Sequence, residues 1–262
     1  TSKMSESWPI SDGGLGAFSY TFEFLMGWMG SPSRWRTMPW MVTIFGILVI
    51  PLGLVHIFLV ASQPVVVGHW CTFCLLAAAI MLPMIPLEVD EVVAMLQFLR
   101  RRKQAGASLW RTFWKGDTDE ENGQDERTPP LASFPRQPGP VAKAMFFGMS
   151  FPWNLCVNAG LGVWLMATPA VLGSSGRVAD VEHIGGALLL TLSVIAMGEV
   201  IRIGRYGNIL VGLLVALSPL MLEGATTAGM VTDLLVGLAA IGLSIPRGPI
   251  TETYGAWDRY VR

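Results

Sequence analysis

A chain of 262 residues that is 52% hydrophobic and only 14% charged, with mean hydropathy +0.50, is too apolar for a water-soluble domain, where roughly 25% of residues carry charge. This composition points to a membrane protein with several spans, and a formal net charge of −1 offers no basis for nucleic-acid binding. Three cysteines, Cys71, Cys74 and Cys156, exclude a fully paired internal disulfide framework, and 14 methionines suit irregular apolar packing. The sequence opens at Thr1 with no basic-apolar-small signal segment, and the absent initiator Met suggests processing or a longer product.

Taken in order, residues 1–13 are polar and lead into a turn at Asp12-Gly13-Gly14. Leu15 to Met29 is apolar but short for a span, which needs about 20 residues. Two readings fit it: a tilted or shielded helix with Glu23 facing protein, or an amphipathic helix lying on the surface. After the basic turn Ser31-Pro32-Ser33-Arg34-Trp35-Arg36, Trp40 to Ala61 reads as a clear span containing Pro51 and His56. A short turn, Ser62-Gln63-Pro64, precedes a third span over about 66–85, which Pro83 and Pro86 should kink or end. Leu87 to Leu99, with acidic residues at 88, 90 and 91, then reads as an amphipathic helix leaving the membrane and stopping at Arg100-Arg101-Arg102-Lys103.

Residues 104–150 change character. The acidic run from Asp117 to Glu121 and the prolines 129, 130, 135, 138 and 140 cannot bury enough apolar area to fold, so this stretch reads as a linker between two membrane modules. Within it, Leu109-Trp110 and Phe113-Trp114, beside Arg111 and Lys115, are suited to a lipid surface. Four apolar runs follow, at about 152–173, 181–201, 207–223 and 229–245. They carry an internal repeat. Asn158, Gly162, Pro169 and Leu172 recur as Asn208, Gly212, Pro219 and Leu222, and with one residue inserted Glu182 and Gly186 align with Asp233 and Gly237. Such matching predicts duplicated helix hairpins, with glycines permitting close helix approach and the asparagines bonding between helices. The predicted fold is therefore all-α and polytopic, with about seven transmembrane helices in two bundles: 1–103, the linker 104–150, and 151–262.

Basic clusters set the orientation. Arg34 with Arg36, Arg100 to Lys103, Arg202 with Arg205, and Arg247 all fall on one side of a seven-span chain, whereas the opposite loops 62–65, 174–180 and 223–228 carry one Arg and no Lys. The N-terminus and Cys71 are expected outside, and the linker and C-terminus in the cytoplasm. An outer face is an oxidising compartment.

The stretch Gly68-His69-Trp70-Cys71-Thr72-Phe73-Cys74-Leu75 holds the clearest chemical signal. Positions i and i+3 share a helix face, so Cys71 and Cys74 can cycle between dithiol and disulfide, with Cys74 one turn deeper. A zinc half-site is the competing use of C-x-x-C, but zinc usually takes four ligands and the sequence offers no second pair, so no metal is expected. His56 reads either as a buried, hydrogen-bonded imidazole or as a proton-handling group near the thiols. Cys156 reads as a small packing residue, and His183, with Asp180 and Glu182, as a solvated cluster at a helix start, with metal binding the competing use.

Gly46, Pro51-Leu52-Gly53 and the eight residues around the C-x-x-C together resemble the vitamin K epoxide reductase family over residues 12–99. That resemblance implies a membrane bundle that oxidises partner thiols on the outer side and passes the electrons to a quinone. Carried over, it implies that Cys74 engages the quinone and that Cys71 closes the disulfide; His56, from its own place deep in the preceding span, is a further candidate on the quinone side. The family also has an upstream helix and a loop cysteine pair that shuttles electrons; here no cysteine precedes Cys71. Its vertebrate members place a tyrosine where this chain has Ala78. Residues 151–262 resemble the SPW-repeat membrane family, through Thr168-Pro169-Ala170 and Ser218-Pro219-Leu220, which implies no known catalysis. Together these resemblances imply a fusion of bacterial type in the inner membrane. The expected function is a thiol–quinone oxidoreductase whose shuttle thiols come from an upstream part or a thiol-bearing partner. The alternative is a non-catalytic accessory subunit packed in lipid among other membrane subunits, with relic cysteines.

Overall fold

In the computed structural model, residues 12–29, 33–117, 139 and 146–261 are described. The polar N-terminus, Ser31-Pro32 and most of the acidic and proline-rich linker lie outside these residues. No strand occurs among the described residues, and helices make up about four fifths of them. Helix α1 covers Asp12–Trp28, α2 Arg34–Thr37, α3 Pro39–Ser62 and α4 Thr72–Gln104. A short α5, Leu109–Lys115, follows. Then come α6 Trp153–Leu172, α7 Gly176–Met197, a 3-10 turn Glu199–Tyr206, α8 Gly207–Met221 and α9 Thr227–Ser244. The chain closes with α10, Asp258–Val261.

Six of these segments are long and apolar enough to cross a membrane: Pro39–Val67, Thr72–Gln104, Trp153–Leu172, Gly176–Met197, Glu199–Met221 and Thr227–Ser244. At 17 residues, α1 rises about 26 Å against a hydrocarbon core of roughly 30 Å, and it buries Glu23. The protein is an all-α polytopic membrane protein. Two boundaries differ from the sequence expectation. The chain does not turn at Ser62: α3 continues into a π-helical turn, Gln63–Val67, and breaks only at Gly68, whose φ of 74° favours glycine. Pro83 and Pro86 do not end the next helix either; both lie inside the 33-residue α4, where neighbouring helices can satisfy a freed carbonyl.

The described chain divides into two compact units. One comprises residues up to Pro51 with Glu91–Pro130. Arg34 organises it: the guanidinium forks onto the Glu91 carboxylate, Nε and Nη2 each at 2.5 Å from an oxygen, and Nη1 donates to the Met26 carbonyl at 3.3 Å. The same cation sits 5.0 Å from the Phe45 ring centre. Trp35 meets Phe98 edge-on, Trp40 stacks on Trp114, and Arg102 pairs with Asp117. The aromatic residues of α5 thus pack on protein as well as facing outward.

The other unit comprises Leu52–Asp90 with residues from Leu131 onward. Its centre is the repeat. Helices α6 and α7 form one hairpin, α8 and α9 the second, and each hairpin closes at a glycine pair. A Cβ added at Gly162 would lie 2.7 Å from the Gly186 carbonyl oxygen, and one at Gly212 the same distance from that of Gly237. The asparagines then brace the hairpins against each other: Asn158 donates to Ser244 Oγ at 3.1 Å, and Asn208 to Ser193 Oγ at 3.0 Å. Each asparagine therefore reaches the second helix of the opposite hairpin, as pseudo-twofold symmetry requires. Leu165, Leu189, Val211, Val215, Val236 and Ala240 fill the core between them. After α9 the tail folds back onto buried Glu199, which accepts from Thr251 N–H at 2.9 Å, Thr251 Oγ at 2.8 Å and Tyr254 Oη at 3.2 Å. Burial first, then the Asp90 and Glu199 carboxylates, raise the Tyr254 phenol above its ordinary pKa. Buried Arg202 donates to Ser150 Oγ and to the Arg247 carbonyl, so this member of the basic clusters also has a structural task.

Candidate redox site

The C-x-x-C stands where the loop after α3 turns into α4. Gln63 shapes this loop twice. Its carbonyl accepts the Gly68 N–H at 2.8 Å, closing the π turn, and its buried side-chain Oε1 accepts the Cys71 N–H at 2.9 Å. Cys71 then acts as the N-cap of α4: its carbonyl accepts from Leu75 N–H at 3.0 Å, and its sulfur accepts from Cys74 N–H at 3.3 Å. Sulfur here takes the role usually given to a Ser or Asp oxygen. An anionic sulfur at that position is favoured by the helix N-terminal N–H groups. Cys71 and Cys74 are joined as a disulfide with Cα atoms 5.3 Å apart, and both are half-buried. Phe73 between them is 84% exposed and points away from the unit.

Trp70, immediately before Cys71, lies with its ring centre 4.8 Å from that of His183 on α7. His183 is buried, as is Glu182, which corrects the expectation of a solvated cluster. The reason is register: α7 begins at Gly176, not near 181, so both residues sit within the helix and face the bundle. Glu182 accepts from Ser174 Oγ at 2.8 Å and lies beside the equally buried Asp233, its repeat equivalent. Cys156 is exposed on the outer side of α6 and is not a packing residue within the chain. Buried His56 has its Nδ1 2.7 Å from the Leu52 carbonyl, one turn earlier, a bond that needs the proton on Nδ1.

Along α4 from Leu75 onward lies an apolar cavity of about 120 Å³, which neither cysteine lines. Leu75 and Ala78, one and four residues after Cys74, line it, as do Ile57, Val60 and Leu82. Ala78 removes the bulk that a tyrosine would place there. The cavity is partly open and smaller than the roughly 150 Å³ cavity that holds one benzene ring. Sequence reasoning singled out the cysteines and His56 but missed Gln63, Trp70 as a packing partner, and the cavity. The available signal was Gln63 itself, a polar residue in an otherwise apolar run just upstream of the C-x-x-C.

The fold and this site define a polytopic helical membrane protein that carries a disulfide-forming cysteine pair at the end of one long helix. Among the described residues no group of three or more His, Cys, Asp or Glu side chains is placed to hold a metal. Comparison with known families matches both modules: residues 1–89 match the vitamin K epoxide reductase family and residues 152–246 match the SPW repeat domain, in line with the fusion expected from the sequence. The first match places that segment with membrane oxidoreductases of the thiol–disulfide and quinone type. No curated protein and no solved structure matches the chain.

Proposed function

We propose that the chain is a membrane thiol–quinone oxidoreductase in which Cys71 and Cys74 form the redox pair. The observation that carries this reading is the disulfide between a helix-capping sulfur and a sulfur one turn along the helix, with an apolar cavity whose lining begins at Leu75, the residue after Cys74. A donor thiolate attacks Cys71, the member at the helix end, and releases Cys74 as a thiolate. The donor's second thiol then displaces Cys71, leaving a donor disulfide and a Cys71/Cys74 dithiol. That dithiol gives two electrons and two protons to one quinone and closes again as the disulfide, so the cycle balances. Cys74 is the member nearer the quinone and Cys71 the one that exchanges and resolves. The donor dithiol lies outside Cys71, Cys74 and Cys156, the three cysteines of this sequence. It belongs either to a partner protein or to a further part of a longer product. His56 is a proton-side candidate, although its bond to Leu52 also accounts for it as a buried imidazole.

The arrangement of basic residues supports an inner-membrane orientation with the cysteines outside. The decisive experiment is quinone reduction by the purified chain with a dithiol donor, comparing wild type with Cys74→Ala. The variant is expected to lose turnover entirely. Equal rates, together with a stoichiometric membrane partner that binds both forms alike, would replace this reading with that of an accessory subunit.

A further inference from the structure

The cavity that begins at Leu75 has two walls from different modules. Ile57, Val60, Leu75, Ala78, Ala79 and Leu82 come from the reductase-like segment; Met166, Ala187, Leu190 and Thr191 come from α6 and α7 of the SPW repeat. All belong to the same compact unit. Two further observations join α7 to the redox loop. The π turn Gln63–Val67 packs against α7, and the Trp70 ring rests on the buried His183 ring, two helical turns before Leu190 on α7. Leu190 is itself fixed from behind, because α6 passes so close that a Cβ on Gly162 would lie 3.0 Å from the Leu190 Cβ. A closely approaching glycine thus sets the depth of the wall.

Resting on the thiol–quinone reading above, we infer that the SPW repeat completes the acceptor site: its Met166, Ala187 and Leu190 form the surface against which the quinone ring seats, while His183 holds the redox loop through Trp70. The fused module then has a task within the reaction, as a positioning element for the electron acceptor. Apolar contact from two sides needs both walls, and neither module supplies both alone.

Steady-state kinetics of the full chain in detergent test this, with a short-chain benzoquinone as acceptor and a soluble dithiol as donor. Leu190→Trp fills the cavity, and Met166→Ala enlarges it with little risk to folding; Leu238→Trp, on an outward face of α9 that is 56% exposed, is the control. Leu190→Trp is expected to raise the quinone KM by roughly ten-fold or more, and Met166→Ala by several-fold. Reduction of the Cys71–Cys74 disulfide by the donor, followed by maleimide labelling, should stay at the wild-type rate in both, a split that a general loss of structure would not produce. If neither variant moves the quinone KM while Cys74→Ala abolishes turnover, the inference falls and the thiol–quinone reading stands. If Cys74→Ala turns over like wild type, both fall. Should Leu190→Trp fail to assemble, Met166→Ala decides the question alone.

Discussion

Gln63 ties the redox loop together through two different atoms, its main-chain carbonyl to Gly68 and its side-chain carbonyl to Cys71. Gln63→Leu preserves the helix-compatible backbone but removes the acceptor for the Cys71 N–H. An unsatisfied, partly buried donor costs about 1–3 kcal/mol, and the loss falls on the loop that presents the sulfurs. The variant is expected to keep its secondary structure, to melt at lower temperature, and to expose its cysteines to maleimide faster after reduction. An unchanged labelling rate would show that the loop is held some other way. Gln63 was legible in the sequence as a polar residue near a turn, but not as an acceptor. That role depends on the chain continuing in a π turn past Ser62, which no local pattern announces. His183 illustrates the opposite failure. Its neighbours Asp180 and Glu182 suggested water, yet a helix beginning at Gly176 turns His183 and Glu182 inward. Its contact with Trp70 joins residues too distant in sequence for any spacing rule.

The helices of the repeat were the most legible elements, because matched Asn, Gly and Pro residues constrain each other across the two hairpins. What the repeat did not disclose is that each asparagine crosses to the other hairpin instead of bonding within its own. Spacing gives the periodicity of a helix face but not the identity of the face opposite it. Along α6 two glycines two residues apart separate packing from mere composition. At Gly162 a Cβ would lie 2.6 Å from the Leu190 nitrogen, whereas at Gly160 nothing lies within 4 Å. Gly162→Val should therefore force the hairpin apart, at about 1–3 kcal/mol for overpacking a tight contact. Gly160→Ala should leave stability unchanged or raise it slightly, since alanine is the better helix former. Thermal unfolding of the two purified variants in one detergent checks this, and equal melting temperatures would remove the glycine contact as the basis of hairpin closure.

At the scale of the whole molecule, the proposed orientation of the redox pair rests on α4. Its 33 residues carry the cysteines at the first turn and Arg101, Arg102 and Lys103 in the last. At 1.5 Å per residue a helix of about 20 residues already crosses the hydrocarbon core, so α4 can place the sulfurs and the basic run on opposite faces of a membrane. Basic residues remain on the cytoplasmic side, and cations at a helix C-terminus are favoured by its dipole as well. In the proposed orientation the cysteines would meet the outer, oxidising compartment, where a thiol donor would encounter them. The sequence carried this argument unaided, since it needs only the order of charges and apolar residues along one helix. It is tested by labelling intact cells with a membrane-impermeant maleimide after mild reduction, in a Cys156→Ala background. Cys71 is expected to label in intact cells. A cysteine introduced by Lys103→Cys, with Cys71 and Cys74 replaced by alanine, should label only once the membrane is permeabilised. Labelling of Lys103→Cys in intact cells would reverse the topology and place the disulfide in a reducing cytoplasm. There its oxidised form would not persist, and the donor thiols would have to be sought on the other side of the membrane.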